Sequence, residues 1–335
     1  MTRLLLHDAA LRSVAEPLAA RAATAGARLD ILSMDDSGVV TCAGEIVETG
    51  CAQPDIAWLN ATLSSSGAAR AFVGELFKAP RLQWVQSAAA GFDHPLFAGL
   101  VSRGVKLSTS HVHSEPIADY VLAGVLDHFQ RGPDRRADQT NRVWRTPTFR
   151  EINASRWLII GFGSIGQAVA RRARAFGAEV VGVRRNPVAD ALADRVVSLE
   201  ALQTELGRAD VVVLCAPLNS RTRHMADARF FSAMTPGAVL VNVGRGALVH
   251  EADLLAALDR GVPAHAVLDV FETEPLPPES PFWAHARVSL TAHTASETDA
   301  VDVRNATLFL DNLDRYLTGK PLVNLVEPAD VVGSS

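Results

Sequence analysis

Arg245 stands in Val241-Asn-Val-Gly-Arg-Gly246, Glu274 in Asp269-Val-Phe-Glu-Thr-Glu-Pro-Leu276 and His293 in Leu290-Thr-Ala-His293, each just past a short apolar run. Singly, such residues are ordinary: an arginine after a strand is usually a surface charge, and a lone histidine usually a satisfied structural one. Together, their types fit the reduction of a 2-keto acid. A guanidinium offers a rigid fork of donors that can grip a carboxylate and polarise the neighbouring keto oxygen. An imidazole titrates near neutrality, so His293 can give a proton to that oxygen as negative charge grows on it, and can act as the base in the oxidation direction. Glu274, if paired with His293, would favour the imidazolium and fix the ring's orientation. The hydride itself is cofactor chemistry.

The elements that must bring these residues together are a series of short strands. Trp157–Ile160, Glu179–Val183, Val211–Cys215, Val239–Val243, Ala266–Val270 and Val288–Thr291 are near-continuous apolar runs, with helical stretches between most of them. One of these, Glu251–Arg260, stops at Gly261 as a C-terminal glycine should. Such alternation predicts a parallel sheet buried on both faces. Ligands bind at the carboxyl ends of its strands, where all three residues fall. A first alternation precedes it, with strands at Leu4–Leu6, Asp55–Leu59 and Trp84–Gln86 and helices near 11–25 and 68–78. Between the two lies a long apolar helix candidate, Glu115–Gln130, followed by a polar break, Arg131-Gly-Pro-Asp-Arg-Arg136. The last amphipathic stretch, Ala300–Leu317, carries Val303, Leu310, Leu313 and Leu317 on roughly one face and lies beyond the second sheet.

The cofactor is legible at Gly161-Phe-Gly163-Ser-Ile-Gly166, which follows Trp157–Ile160 and opens an Ala-rich helical stretch. Gly161 permits a tight turn, Gly163 lets backbone approach a pyrophosphate, and Gly166 lets helix and strand pack closely. The N–H groups at the helix start, those of Ser164 and Ile165 among them, then face the phosphates. The next strand ends in Arg184-Arg185-Asn186, and Arg184 falls 18 residues after Gly166, where an NAD site usually places an acid. Two guanidiniums suit a 2′-phosphate, so NADP(H) is expected to be preferred and NAD(H) to be possible; solvated loop charges are the alternative. Asp269 also ends a strand and is expected to bond the nicotinamide carboxamide, with a cap or turn role as the alternative. Ala216, Pro217, Thr222, Val243, Gly244, Arg245 and His293 complete the expected cofactor-binding set.

Composition bounds the rest. The 335 residues favour two domains, and 48% hydrophobic content supports sizeable cores. A net charge of −5 suggests neither a nucleic-acid nor an anionic-membrane surface. Three cysteines, Cys42, Cys51 and Cys215, fit reduced thiols in a cytoplasm. Arg3-Leu-Leu-Leu6 is too short for a signal-peptide core, and no apolar run approaches a membrane span. His111 and His113 form the only close histidine pair; a third ligand at clear spacing is missing, so no metal is expected.

These motifs resemble the D-isomer-specific 2-hydroxyacid dehydrogenases from about Gly91 to Asn324. The likeness rests on Gly161–Gly166, Asn242-Val-Gly-Arg-Gly246, Asp269-Val-Phe271, Glu274-Pro-Leu-Pro277 and Thr291-Ala-His293, with 29 residues from Arg245 to Glu274 and 19 from Glu274 to His293. Glu274-Pro-Leu-Pro-Pro-Glu-Ser-Pro-Phe-Trp283 resembles the glyoxylate/hydroxypyruvate reductase branch in particular. The resemblance implies that Arg245 binds substrate, His293 is the acid/base and Glu274 its partner. It implies an α/β chain of two doubly wound parallel-sheet domains. One is a Rossmann cofactor domain over residues 111–293; the other is a smaller flavodoxin-like substrate domain, split as 1–110 and 294–335. It also implies a homodimer, and N–H donors for the carboxylate from Ala89, Ala90 and Gly91, in a loop that is otherwise a plain strand-to-helix turn. Trp58 walls the pocket or packs in the core; Trp283 covers the site, from its own or the partner subunit, or packs elsewhere. A cofactor-sensing protein of the corepressor type is the alternative to an enzyme, and the complete Arg245, Glu274 and His293 set weighs against it. The chain departs from the family pattern at Ala292, where proline is common, at Asp119, where glutamate is common, and at Ile152-Asn-Ala-Ser-Arg156. None of these removes a catalytic group.

Overall fold

A computed structural model describes residues 1–332, which divide into two compact units, 1–112 with 298–332 and 113–297. The first unit runs β1 (Thr2–His7), α1 (Asp8–Thr24), β2 (Leu29–Met34), β3 (Val40–Cys42), β4 (Glu45–Val47), β5 (Ile56–Leu59), α2 (Ala61–Ser65), α3 (Ala69–Lys78), β6 (Trp84–Ser87), α4 (Pro95–Val101) and β7 (Lys106–Ser108). The second runs α5 (Ser114–Phe129), α6 (Gly132–Asn141), β8 (Arg156–Ile160), α7 (Ser164–Ala175), β9 (Glu179–Val183), β10 (Arg195–Val197), α8 (Leu202–Leu206), β11 (Val211–Leu214), α9 (Ala228–Ala233), β12 (Val239–Asn242), α10 (Glu251–Arg260), β13 (His265–Leu268) and β14 (Val288–Leu290). The chain then returns to the first unit with α11 (Val301–Leu317) and α12 (Pro328–Val332).

The second unit's sheet has the order β10-β9-β8-β11-β12-β13-β14, all parallel. That is the Rossmann order with one further strand. Its central strands are mainly apolar because each face feeds a separate core layer. Leu158, Ile160, Val212 and Leu214 enter one layer; Trp157, Ile159, Val211 and Val213 enter the other, which also takes the buried faces of α5 and α7. The first unit's sheet has the order β4-β3-β2-β1-β5-β6-β7. Without the antiparallel β3–β4 hairpin at its edge, its five parallel strands have the flavodoxin-like order.

Two expectations are corrected here. The polar break after α5 is the start of a helix, α6, which buries no side chain. Without apolar periodicity it has no sequence signal; ion pairs along and beside it, Arg131–Asp134 at 2.8 Å, Arg136–Asp127 at 2.6 Å and Arg145–Asp138, accompany it. The expected apolar face of α11 holds at Leu310, Leu313 and Leu317 and fails at Val303. Val303 is exposed, and the buried face carries Val301, Phe309, Leu310 and Leu313, with Asn305 and Asn312 in buried polar contacts. Among the described residues no helix is long and apolar enough to cross a membrane.

At the amino end of β13, the His265 ring stacks on His128 of α5, with centroids 4.5 Å apart. Burial pushes the His265 pKa down to about 4 from an ordinary 6.5, and the neighbouring His128 adds to this, against the opposing Asp127 carboxylate. His128 is lowered too, again mainly by burial. The unfolded chain therefore takes up a proton below pH 6.5 that the folded His265 refuses until about pH 4. Stability is complete above 6.5 and falls between these values, by up to about 3 kcal/mol. The melting temperature of the wild type is expected to drop by several degrees from pH 7 to pH 5, and His265→Gln should flatten that drop. An equally steep drop in the variant would place the acid sensitivity elsewhere.

Candidate active site

β12, β13 and β14 are neighbours in parallel register, Asn242 beside Leu268 and Leu268 beside Leu290. Their carboxyl ends therefore lie along one sheet edge, and Arg245, Glu274 and His293 emerge from three adjacent loops. Asn242 staples the first of these. Its side-chain amide donates to the Arg245 carbonyl at 3.0 Å, and its Oδ1 accepts from Gly244 N–H at 3.1 Å. Arg245 is half-buried, and its Nη1 donates to the Gly244 carbonyl at 2.8 Å.

Glu274 and His293 meet directly. Glu274 Oε2 lies 2.8 Å from His293 Nδ1, while its Oε1 accepts from Phe271 N–H at 2.9 Å. A carboxylate only accepts, so the proton at this contact sits on Nδ1. Nε2 is then the ring atom at which a substrate proton can be held or released. Both side chains remain partly open to solvent, His293 at 49% exposure and Glu274 at 37%.

The histidine's backbone is held in an unusual state. His293 has φ 55, in the left-handed region, which costs about 1–2 kcal/mol for a residue with a Cβ. Asp269 holds it there. The Asp269 carbonyl accepts from His293 N–H at 2.8 Å, and its buried carboxylate accepts from Thr294 N–H at 2.8 Å and Ala295 N–H at 3.1 Å. The Thr291 hydroxyl lies 2.6 Å from Asp269 Oδ1 and 2.8 Å from Tyr120 Oη. With one proton, it donates to the carboxylate and accepts from the phenol. Burial above all pushes the Tyr120 pKa up to about 12, so the phenol stays protonated for this task. Spacing along the chain did not reveal Tyr120, Thr291 or Asn242. Their roles depend on which loops become neighbours, and nothing local signals that.

The glycine turn fits a dinucleotide. Gly161 has φ 99, and a Cβ there would stand 2.4 Å from the Ala216 nitrogen. A Cβ on Gly163 would meet nothing within 4 Å, so backbone is open to a ligand at that point. Gly163 precedes α7, whose first turn receives no side-chain cap, leaving its N–H groups and positive dipole end to an anion. Gly161 and Phe162 N–H both donate to the Val183 carbonyl, at 3.0 and 3.1 Å, which ties the turn to the end of β9. Arg184 follows directly, half-buried, with its Nε donating to the Asn186 carbonyl at 2.9 Å; Arg185 is exposed. Ala216 and Val243 are buried next to this edge, whereas Pro217 is exposed. The Thr222 hydroxyl serves its own loop by donating to the Pro217 carbonyl at 2.7 Å.

Trp58 is 3% exposed and stacks on Phe309 at 4.6 Å, which is the packing of a core tryptophan in the first unit. Trp283 is half exposed, and its indole N–H donates to the Pro277 carbonyl at 2.9 Å. Ala89 and Gly91 lie just past β6, where Ala89 N–H donates to Ser87 Oγ at 3.1 Å and the Ala89 carbonyl accepts from Ser110 N–H at 2.9 Å. Asp119 accepts from Arg172 Nε at 2.6 Å, an ion pair between α5 and α7 rather than a part of the site.

Residues 122–295 match the model of the D-isomer specific 2-hydroxyacid dehydrogenase NAD-binding domain. Among curated proteins, the chain is 34% identical to glyoxylate reductase of Thermococcus gammatolerans, over 76% of this chain and 79% of that protein. It is 34% identical to glyoxylate/hydroxypyruvate reductase B of Citrobacter koseri, over 76% and 80%. Among solved structures, a D-isomer specific 2-hydroxyacid dehydrogenase of Xanthobacter autotrophicus in complex with NADPH and MES superposes with TM-score 0.77 at 28% identity, covering 98% of this chain and 99% of that one. The NADPH-dependent glyoxylate/hydroxypyruvate reductase of Sinorhizobium meliloti, in complex with NADP and sulfate, superposes with TM-score 0.73 at 27% identity over 98% of both chains. With its Rossmann sheet, its glycine turn and this degree of match, the chain belongs to the D-isomer specific 2-hydroxyacid dehydrogenase family, in its glyoxylate/hydroxypyruvate reductase-like branch, and is a nicotinamide-dependent oxidoreductase.

Proposed function

We propose that this chain is an NADPH-preferring reductase that converts small 2-keto acids, glyoxylate, hydroxypyruvate or a close relative, to D-2-hydroxy acids, with His293 as the acid/base. The observation that carries this reading is the 2.8 Å contact of His293 Nδ1 with Glu274, made at the sheet edge from which Arg245 also emerges.

The bound nicotinamide supplies the hydride. This chain's residues do the rest. Arg245 binds the substrate carboxylate and draws electron density toward the keto oxygen. His293 gives the Nε2 proton to that oxygen, and Glu274 stabilises the charged ring beforehand and keeps it facing the substrate. The Asp269 latch keeps the imidazole in place between turnovers. Gly161, Gly163, Ser164, Ile165 and Gly166 hold the pyrophosphate, and Arg184 with Arg185 the 2′-phosphate. Trp283 shields the site. Names of relatives and complexes support the substrate class and the cofactor.

A panel of glyoxylate, hydroxypyruvate and phenylpyruvate, each with NADPH and NADH and followed by cofactor absorbance, is the direct test. Faster oxidation of NADPH with one of the two smaller acids is expected. Tight NADPH binding with no oxidation by any acid would reject the enzyme and favour a cofactor sensor.

We also read the protein as a homodimer. The segment after α6 exposes Val143, Trp144 and Phe149, with Trp144 95% exposed. A patch of that kind suits burial against a second copy. Sedimentation at micromolar concentration should show a dimer that Trp144→Ser weakens; a wild-type monomer would remove this reading.

A further inference from the structure

Glu274 hangs from a loop that is mostly solvent-exposed from Glu272 to Pro275, so something must fix where it points. The inner side of that loop is set by packing. A Cβ on Gly246 would stand 1.8 Å from the Phe271 carbonyl carbon and 2.4 Å from the Glu272 nitrogen, so the backbone next to Arg245 lies directly against this loop. The Phe271 ring is buried against Phe282, with centroids 5.8 Å apart. Phe271 N–H is the group that orients Glu274 Oε1.

The other side is gripped by α10. Glu272 N–H donates to Glu251 Oε1 at 2.7 Å, and Glu251 N–H, at the first position of the helix, donates to Glu272 Oε1 at 3.3 Å. His250 precedes the helix and supplies no side-chain cap. The carboxylate at the helix start therefore comes from the loop that bears Glu274, 21 residues away, and the helix dipole favours it there. His224 Nε2 lies 3.2 Å from the same Glu272 oxygen, and its ring meets that of His250, which faces Asp253 at 2.9 Å. Burial, and then the charge of Glu272, raise the Glu251 pKa, so the chain keeps two carboxyl groups together where electrostatics disfavours it.

We propose that Glu251 and Glu272 are positioning residues for the Glu274–His293 pair, through reciprocal side-chain-to-backbone bonds that hold the peptide from which Glu274 is aimed. The inference rests on reading Glu274 and His293 as the proton-transfer pair. Small displacements at such a pair are expensive, since about 1 Å of misplacement can cost up to ~10²-fold in rate.

Glu251→Ala and Glu272→Ala are to be compared with Glu251→Gln, which keeps an oxygen acceptor for Glu272 N–H. Both alanine variants are expected to lose about 10-fold in kcat with unchanged NADPH affinity. The alkaline limb of kcat/KM for reduction should move to lower pH, because a loosened Glu274 no longer favours the imidazolium. Glu251→Gln should recover most of both effects. The His293 ring signal in NMR, identified by its loss in His293→Gln, should titrate at lower pH in the alanine variants whether or not any substrate is turned over. Turnover with an unmoved pH limb and an unmoved ring signal would overturn the positioning role and leave the reductase intact. A moved ring signal in a protein that reduces no 2-keto acid would support the positioning role and remove the reductase. If Glu251→Ala fails to fold, Glu272→Ala carries the same comparison.

Discussion

His293→Gln is expected to lower kcat for 2-keto acid reduction by about 10²–10⁴-fold, the usual contribution of a positioned general acid. Glutamine can keep a hydrogen bond to Glu274 and most of the side-chain volume, so the loop should stay where Asp269 holds it. What it lacks is a proton it can release near neutral pH. NADPH affinity should therefore change little, because the glycine turn and the arginines after β9 lie on other loops. The pH dependence should change in kind as well. The wild type should lose reductase activity as pH rises and the imidazolium is lost, and the residual activity of the variant should lack that limb. Stopped-flow turnover and fluorescence titration with NADPH measure the two halves separately. Wild-type turnover in His293→Gln would mean the proton comes from another group, and the 2.8 Å contact with Glu274 would then be structural only.

The second large effect concerns the end of β9. Arg184→Asp should raise KM for NADPH by about 10²-fold or more while changing KM for NADH by only a few-fold. A charge-assisted hydrogen bond contributes about 1.5–3 kcal/mol, roughly 10- to 150-fold in affinity. The aspartate also adds repulsion toward a 2′-phosphate that NADH does not carry. The position is suited to discrimination because the glycine turn is bonded to the Val183 carbonyl, so the residue after it is carried to the ribose end of a cofactor bound on that turn. Arg184 Nε is already engaged by the Asn186 carbonyl, which holds the guanidinium to its own loop and reduces the ordering cost of binding. Equal rises in KM for both cofactors would show that Arg184 supports the loop and does not read the phosphate.

How far the chain could be read without coordinates varies by element. The central strands of both units were legible because each buries two faces, which forces unbroken apolar runs such as Trp157–Ile160 and Val239–Val241. β2, β7 and β10 escaped because their runs are short or mixed, and the β3–β4 hairpin because it lies at a sheet edge. A strand of that kind owes its form to its hydrogen-bond partner. The helix α6 escaped because a polar helix with no buried face leaves no periodic pattern. Trp58 could be read either as core or as pocket wall, since an aromatic residue after an apolar run suits both; its stack on Phe309 of α11 depends on a segment about 250 residues further along the chain.

By itself the sequence determined the class of chemistry. Residue types carry intrinsic reactivity, and a parallel sheet delivers whatever follows its strands to one edge, so Arg245, Glu274 and His293 could be proposed from type and place. The tertiary structure alone decided how those groups are held: the left-handed backbone of His293, the Asp269–Thr291–Tyr120 latch and the reciprocal bonds of Glu251 and Glu272. Each joins residues far apart in the chain, and a hydrogen bond is specified by a separation of about 3 Å and a direction, which only the folded chain supplies.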